Sequence, residues 1–184
     1  LIRTVDSLIN MAELQTGFYS AKFTEIDPEE KIRNLIRNDF MKSAQDKNLF
    51  IKFNYNSLTK KIVADEYSFE MIFKNLIDNA IKYTYYGGVE ITVADSEKNC
   101  LEINVKDTGI GISEEYLAKL FEPFSQEEQG YTRRFEGNGL GLAIIKKFLQ
   151  INNAEIAVES KKGEDTTFTV LFNKQTNKVG SMFN

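Results

Sequence analysis

Apolar residues recur at helical spacing in five stretches of the chain and alternate with polar residues in six others. The predicted helices span residues 1–15, 28–46, 66–84, 114–120 and 142–151. The predicted strands span residues 49–55, 61–64, 89–94, 100–106, 156–159 and 167–172. Asp27, Pro28 and Glu30 together form a helix-start signature, with Asp27 as the N-cap. This order of elements predicts an α+β domain with helices on one face of a mixed, mostly antiparallel sheet.

The helix that follows Asp65 has an unusual polar face. Its apolar arc comprises Phe69, Ile72, Phe73, Leu76, Ile77 and Ala80. The opposite arc carries Asn75, Asn79 and Lys82, with Asp78 and Tyr83 at its edges. Carboxamide oxygens suit a Mg²⁺ ion that bridges substrate phosphates, and a lysine can meet those phosphates as a point charge. The same pattern is also compatible with a solvated face that has no function.

A loop with acidic and glycine residues follows the strand at 100–106. Asp107 can accept a hydrogen bond from an exocyclic amine, and Gly109 and Gly111 let the backbone approach a flat ring closely. An ordinary Asp-Thr-Gly turn is the alternative interpretation.

A second glycine-rich stretch precedes the helix at 142–151. Gly137, Gly139 and Gly141 offer backbone N–H groups at a helix N-terminus, where phosphate oxygens bind. This stretch is not a dinucleotide fingerprint, because no strand precedes it. Upstream, Arg133 and Arg134 lie in a polar stretch without periodicity; either could reach a terminal phosphate, or both could be solvated charges.

The composition narrows the classes of function. The 184 residues are 42% hydrophobic with a formal net charge of −4, which fits a globular domain and argues against a nucleic-acid surface. The chain contains no histidine, which excludes histidine-based triads, metal sites and general bases within it. The single cysteine, Cys100, fits a reducing compartment. No stretch resembles a membrane span or a signal peptide, so a cytoplasmic location is expected.

Four motifs in a fixed order resemble the ATP-binding catalytic domain of sensor histidine kinases. These are the Asn-rich helix, Asp-x-Gly-x-Gly at 107–111, Phe-x-Pro-Phe at 121–124 and Gly-x-Gly-x-Gly at 137–141. That family shares the Bergerat nucleotide-binding fold with DNA gyrase and mismatch-repair ATPases. The resemblance covers residues 27–173 and implies a two-layer α/β sandwich, with three main helices on one face of a five-stranded sheet.

The resemblance also implies roles for individual residues. Asn79 would be the principal Mg²⁺ ligand with Asn75 assisting, Tyr83 would pack on adenine, and Asp107 would read the adenine amino group. Lys82 and Arg133 would meet the phosphates as catalytic residues, with Arg133 inside an ATP lid spanning 122–136. The implied nucleotide-contacting set is completed by Gly109, Gly111, Ile112, Phe124, Gly137, Gly139, Leu140, Gly141 and Thr167.

The sequence departs from the family pattern at two turns. The usual Gly-x-Gly-Thr is Gly163-Glu164-Asp165-Thr166 here, and the usual Gly-Gly is Asn153-Ala154. Asparagine tolerates left-handed backbone angles, so the second turn is expected to survive. Neither change falls on the implied nucleotide site, so ATP binding is expected to be retained.

The resemblance implies a division of the chain and a set of partners. Residues 1–17 would be the remnant of a dimerisation and phosphoacceptor helix, 18–26 a linker, and 174–184 a disordered tail. The γ-phosphoryl group would go to a histidine on a phosphoacceptor domain and then to a response-regulator receiver domain. The fragment is expected to be monomeric, whereas the intact kinase is expected to be homodimeric, with or without a membrane anchor.

Two other functions are compatible with the same fold. A gyrase-type hydrolase places a glutamate general base one helical turn before the metal-binding asparagine, where this chain has Asn75, and an amide cannot take a proton from water. A non-catalytic nucleotide-binding scaffold is the third reading, and the intact ligand positions disfavour it.

Overall fold

The computed structural model of the protein describes residues 2–127 and 139–174. Its helices are α1 (Ile2–Thr16), α2 (Pro28–Leu35), α3 (Met41–Asp46), α4 (Glu66–Tyr83), α5 (Glu114–Leu117) and α6 (Gly141–Ile151). Its strands are β1 (Phe23–Ile26), β2 (Phe50–Tyr55), β3 (Ile62–Asp65), β4 (Gly88–Asp95), β5 (Cys100–Asp107), β6 (Glu155–Ser160) and β7 (Thr166–Asn173). Across these residues, every helix is too short or too polar to cross a bilayer.

Five strands form one mixed sheet in the order β2-β4-β5-β7-β6. β2 pairs with β4 in parallel, and the connection between them runs through β3 and α4; the other three pairings are antiparallel. The helical layer, in which α4 contacts both α2 and α6, covers one face of this sheet. The predicted α+β class, the two layers and the mixed five-stranded sheet are therefore confirmed.

Helix α4 is the centre of the hydrophobic core. The apolar arc predicted from its periodicity is buried, since Phe69, Ile72, Phe73, Leu76 and Ile77 have no solvent exposure. These side chains pack against the inward positions of the sheet and against α2 and α6. Burial of this arc fixes the rotation of the helix, so Asn75 and Asn79 must lie on its outer side.

The opposite face of the sheet carries polar side chains, some of which bond to each other across neighbouring strands. Asn54 Nδ2 donates to Glu90 Oε1 at 3.0 Å, and Thr169 Oγ1 donates to Asn104 Oδ1 at 2.6 Å across neighbouring strands. Alternation of apolar and polar residues along β4, β5 and β7 therefore gives the sheet one face that packs in the core and one that faces solvent.

The local signals at helix starts and turns act as expected. Asp27 Oδ1 accepts a hydrogen bond from the Glu30 N–H at 3.0 Å, so this residue caps α2. Asn153 has φ of 48°, the left-handed geometry that its place before β6 requires. At the other turn that differs from the family pattern, where Asp165 replaces a glycine, Asp165 forms an ion pair with Lys106.

Three element boundaries differ from the predictions. The predicted linker contains a strand, β1, which pairs antiparallel with β3 in a separate two-stranded sheet. The single predicted helix over 28–46 is interrupted by a π-helical turn, Ile36–Phe40, between α2 and α3. The predicted helix at 114–120 ends earlier, at Leu117. Most of the predicted tail, 175–184, lies outside the described residues.

The N-terminal segment packs on the helical layer through α1 and the turn that follows it. Met11 is buried in the core, and Tyr67 Oη donates to Asn10 Oδ1 at 3.0 Å. The Tyr19 ring packs edge-on against Phe148 of α6, with ring centroids 5.3 Å apart. The division between residues 1–17 and the rest of the chain stays a prediction, because the two parts are packed together here.

The Tyr19 hydroxyl connects this segment to the start of α4. Tyr19 Oη donates to Asp65 Oδ2, the same oxygen that accepts the Ser68 N–H at 3.0 Å. Asp65 Oδ1 accepts the Lys22 N–H at 2.7 Å. Burial, reinforced by the Asp65 carboxylate, raises the pKa of Tyr19, so the phenol stays neutral and donates throughout the working range of pH.

Replacing Tyr19 by Phe is expected to destabilise the protein by about 1–3 kcal/mol, since it removes a hydrogen bond to a charged, part-buried acceptor. Urea unfolding followed by circular dichroism measures the loss. Tyr86→Phe is the matched control, because Tyr86 is 86% exposed. Equal unfolding midpoints for the two variants would contradict the role given to the Tyr19 hydroxyl.

Candidate functional site

Asp107 ends β5 inside the domain rather than at its surface. The residue is only 5% exposed, and its Oδ1 accepts the Gly109 N–H at 2.8 Å. Burial raises the pKa of this carboxyl to about 6; the charge of Asp165 adds to the rise and the Gly109 N–H opposes it. At neutral pH the group is therefore an ionised carboxylate in an environment that favours its pairing with a hydrogen-bond donor.

The two glycines after Asp107 are required by the packing of the loop itself. A Cβ on Gly109 would lie 2.6 Å from Asp107 Oδ1 and 2.7 Å from the carbonyl oxygen of Tyr83. Gly111 has φ of 64°, and a Cβ there would lie 2.0 Å from the carbonyl oxygen of Lys161. The loop is thus held between the end of α4 and the β6–β7 turn. The same lack of side chains would also let this backbone approach a flat ring, as the sequence predicted.

The pairing register of β5 and β7 decides which of two neighbouring threonines lies on the same face of the sheet as Asp107. Thr166 lies opposite Asp107, and Thr167 lies opposite Lys106. Successive side chains of a strand point to opposite faces, so Thr166 shares the buried face with Asp107, whereas Thr167 follows the outward-facing Lys106. The register thus places Thr166, and not the predicted Thr167, beside Asp107, and the nucleotide contact of Thr167 stays a prediction. Thr166 was not singled out from the sequence, although the family's Gly-x-Gly-Thr motif ends at this position.

The carboxamide of Asn75 is fixed against the start of α6. Its Nδ2 donates to the Met71 carbonyl one turn earlier, at 2.8 Å. Its Oδ1 faces Gly141, the first residue of α6, where a Cβ would lie only 2.9 Å from that oxygen. The missing side chain of Gly141 therefore leaves room for the oxygen of Asn75 beside a helix N-terminus.

The rest of the polar face continues along α4. Asn79, Lys82 and Tyr83 are all partly exposed, and the Lys82 ammonium lies 4.8 Å from the centroid of the Tyr83 ring. Such a cation–aromatic pair keeps the two side chains together at the end of the helix. The structure thus brings the predicted Asn75, Asn79, Lys82 and Tyr83 onto one side of α4, as the periodicity requires.

The two ends of the stretch between α5 and α6 meet. The Phe124 N–H donates to the Gly139 carbonyl at 3.0 Å, and both residues have positive φ, 62° and 69°. Phe124 is 67% exposed, whereas Leu140, which precedes α6, is fully buried. Gly139 and Gly141 therefore lie at the base of the predicted lid. Arg133, Arg134 and Gly137 lie outside the described residues.

The first turn beyond Phe124 is attached to two neighbouring loops. Glu127 accepts a hydrogen bond from the Ser113 N–H at 3.1 Å and forms an ion pair with Lys162 at 2.9 Å. Burial raises the pKa of Glu127, but these partners outweigh it and leave the pKa below its usual value. Ile112, predicted to contact the nucleotide, is partly buried against the core, and its N–H donates to Ser160 Oγ at 2.9 Å.

The donor set suits a Mg²⁺ ion held together with phosphate oxygens. Within residues 2–127 and 139–174, no group of three or more Cys, Asp or Glu residues could hold a metal by itself. The neutral oxygen of Asn75, oriented by its bond to Met71 and lodged in the space left by Gly141, is the kind of ligand such an ion accepts. Asn79 lies one turn further along the same side of α4.

A protein-family model described as "Histidine kinase-, DNA gyrase B-, and HSP90-like ATPase" matches residues 64–176. An uncharacterized sensor-like histidine kinase of Rhizobium meliloti is 33% identical over 172 residues, which are 92% of this chain and 32% of that protein. The autoinducer 2 sensor kinase/phosphatase LuxQ of Vibrio vulnificus is 30% identical over 91% of this chain and 20% of its own length. The chain thus spans about a third or less of these curated relatives.

Solved structures give the same assignment. The crystal structure of full-length ShkA in complex with AMPPNP superposes with a TM-score of 0.81 and 26% identity, covering 94% of this chain and 36% of that one. The catalytic domain of the histidine kinase ThkA superposes with a TM-score of 0.70 and 25% identity, covering 83% of this chain and 96% of that one. Fold and site together define a nucleotide-binding α/β sandwich. The chain belongs to the family of histidine kinase-, DNA gyrase B- and HSP90-like ATPases, and the curated relatives named above are sensor kinases.

Proposed function

We propose that this chain is the ATP-binding catalytic domain of a two-component sensor histidine kinase, which binds Mg-ATP and presents the γ-phosphoryl group to a histidine on a separate phosphoacceptor domain. The observation that carries the proposal is the buried carboxylate of Asp107, whose environment favours a hydrogen-bond donor and whose loop docks on α4, the helix that carries the asparagine face.

Asp107 recognises the base. Its carboxylate accepts a hydrogen bond from the exocyclic amine of adenine, and the amine in turn replaces the water that the buried charge has lost. Thr166 lies opposite Asp107 on the same face and supplies a hydroxyl close to that contact. Tyr83 packs on the adenine ring, and the Gly109–Ile112 backbone forms the adjoining wall.

The side of α4 that carries Asn75 and Asn79 binds the phosphates together with the start of α6. The metal ion would be held by Asn79 and Asn75, and when bound it neutralises phosphate charge. Lys82 adds a positive charge, and the backbone N–H groups of Gly139, Leu140 and Gly141 stand at a helix N-terminus that favours anions. Arg133, with Gly137 and Phe124 of the lid, completes this end of the site.

The chemical step is a direct phosphoryl transfer. A ring nitrogen of the acceptor histidine forms a bond to the γ-phosphorus, and the bond from that phosphorus to the β–γ bridging oxygen breaks to release ADP. The protein positions the nucleotide and neutralises charge, and these contributions dominate such transfers. Asn75 occupies the place where a hydrolase would need a general base, so water is not activated.

The partners and location follow from the same proposal. The phosphoacceptor domain belongs to the same full-length protein, the receiver domain of a response regulator takes the phosphoryl group next, and nucleic acid is not a partner. The intact kinase works as a homodimer with this domain in the cytoplasm, and the fragment by itself is a monomer. The names of the relatives, which are sensor kinases, support this assignment.

Incubation with radiolabelled ATP tests the function. The isolated chain contains no histidine, so acid-labile phosphate is expected only after addition of a separately produced phosphoacceptor domain from a related sensor kinase. The same acceptor domain with its histidine replaced by glutamine is the control. Acid-labile label on the isolated chain, or steady-state ATP hydrolysis at the rate of a dedicated ATPase, would overturn the proposal.

A further inference from the structure

The C-terminus of α4 has an unusual set of hydrogen-bond partners. The last four carbonyl groups of an α-helix have no partner within the helix. α4 ends at Tyr83, and Thr84 is extended and fully buried, so no left-handed glycine cap follows. The hydroxyl of Thr84 nevertheless donates back to the Ala80 carbonyl at 2.7 Å. The remaining three carbonyls are satisfied from other parts of the chain.

Lys47 satisfies two of these carbonyls. It directly follows α3, and its Nζ donates to the carbonyl oxygens of Ile81 and Lys82 at 2.8 and 2.9 Å, with the Thr84 carbonyl at 3.5 Å. A cation at this end of a helix also opposes the negative end of the helix dipole. Much of the Lys47 side chain is exposed, but partial desolvation of its ammonium lowers the pKa of Lys47; the nearby charge of Asp78 opposes this shift and that of Lys82 adds to it.

The fourth carbonyl joins α4 to the Asp107 loop. The Ile110 N–H donates to the Tyr83 carbonyl at 3.2 Å. The position of this carbonyl therefore depends on how the last turn of α4 is held, and Lys47 holds the two carbonyls immediately before it. The ammonium of Lys47 and the loop that carries Asp107 are thus attached to adjacent residues of one helical turn.

We propose that Lys47 is a positioning residue of the nucleotide site. Its ammonium fixes the last turn of α4, so that the Tyr83 carbonyl receives Ile110 and the Asp107 loop is held at the correct distance from the Asn75–Asn79 face. The inference rests on the proposed function, since the site that it positions is the ATP site. Lys47 itself does not touch the nucleotide, and its effect is on the fraction of molecules whose site is assembled.

The direct test removes the ammonium of Lys47 and keeps an unbranched side chain of similar length. Lys47→Met is expected to weaken ATP binding by about three- to tenfold, as measured by isothermal titration calorimetry at a temperature where the variant is folded. In the ligand-free protein, amide hydrogen exchange at Ile110 is expected to accelerate, while exchange at Val105, in the centre of β5, stays unchanged. Lys47→Arg keeps a cation with several donors and is expected to restore both values to near those of the wild type.

Lys42→Met is the matched control, because Lys42 is an exposed lysine on the preceding helix, α3. If Lys47→Met binds ATP as the wild type does, or if Lys42→Met weakens binding equally, the inference is overturned while the proposed function stands. A wild-type protein that does not bind ATP overturns the proposed function and this inference together. Uniformly faster exchange in Lys47→Met, at Val105 as well as at Ile110, indicates general destabilisation and also overturns the positioning role.

Discussion

Replacing Asp107 by Asn is expected to weaken ATP binding by about 10- to 150-fold, because a charge-assisted hydrogen bond worth about 1.5–3 kcal/mol is lost. The carbonyl oxygen of the amide can still accept the Gly109 N–H, so the loop keeps its internal bond. The remaining NH₂ group is a donor and cannot accept from the adenine amine. The variant therefore tests recognition of the base without removing the support of the loop.

The same substitution is expected to stabilise the ligand-free protein at neutral pH. The folded-state pKa of Asp107 is raised to about 6, above the ordinary value of 3.8, because burial penalises the charged form. Its contribution to stability is therefore fully present below about pH 4 and is lost as pH rises through about 6. Asparagine carries no charge, so the variant avoids this loss and gains on the order of 1–3 kcal/mol above that pH.

Calorimetric titration with ATP at neutral pH measures the loss of affinity, and urea unfolding between pH 4 and pH 7.5 measures the gain in stability. The stability difference from the wild type should shrink as pH falls toward 4. ATP affinity of the wild type should also fall below about pH 6, as Asp107 becomes protonated. Glu97→Gln, an exposed change in the β4–β5 turn, controls for the removal of one negative charge. Unchanged ATP affinity in Asp107→Asn would contradict the assignment of the adenine contact.

Replacing Asn79 by Ala is expected to remove the Mg²⁺ dependence of ATP binding. The affinity measured with Mg²⁺ should fall by about 10- to 100-fold, because a contact to a charged centre is worth about 1.5–3 kcal/mol. The affinity measured with EDTA should change little, since Asp107 and Tyr83, the side chains proposed to contact adenine, are unchanged in the variant. Asn79 is partly exposed and alanine favours helix, so the free energy of unfolding should stay within about 0.5 kcal/mol.

Titrations of both proteins with and without Mg²⁺ give the four affinities that this prediction needs. Asn104→Ala is the control, because Asn104 lies on the polar open face of the sheet and bonds Thr169 there. A variant whose binding still strengthens on addition of Mg²⁺ as much as that of the wild type would rule out Asn79 as the principal metal ligand.

Local patterns in the sequence predicted the elements that carry the site. The apolar arc of α4 follows from helical periodicity, and the caps at Asp27 and Asp65 follow from side-chain chemistry within three residues. β1 escaped prediction because only its antiparallel pairing with β3, about forty residues away, makes it a strand. Whether Thr166 or Thr167 faces Asp107 depends on the register between β5 and β7, which alternation alone leaves open.

The residues that hold the site in place are harder to predict from the sequence than the residues of the site itself. Lys47 and Ile81 are separated by 34 residues, and nothing in the local sequence around Lys47 indicates that its ammonium binds backbone carbonyls. Gly109 and Gly111 were singled out from the local motif, but the atoms that exclude a side chain there include the carbonyl oxygens of the distant residues Tyr83 and Lys161. Packing across distant segments supplies this information, and the local sequence around each residue does not contain it.

The bond between Phe124 and Gly139 has a consequence for how such a protein can change. Because this bond joins the two ends of the intervening stretch at their base, the bond itself does not fix the number of residues between them. Each doubling of the length of that stretch adds only about 0.6 kcal/mol of closure entropy. A change in the length of this stretch is therefore expected to cost the domain little stability, whereas Glu127, Arg133 and Gly137 within it stay constrained by the contacts and roles assigned to them.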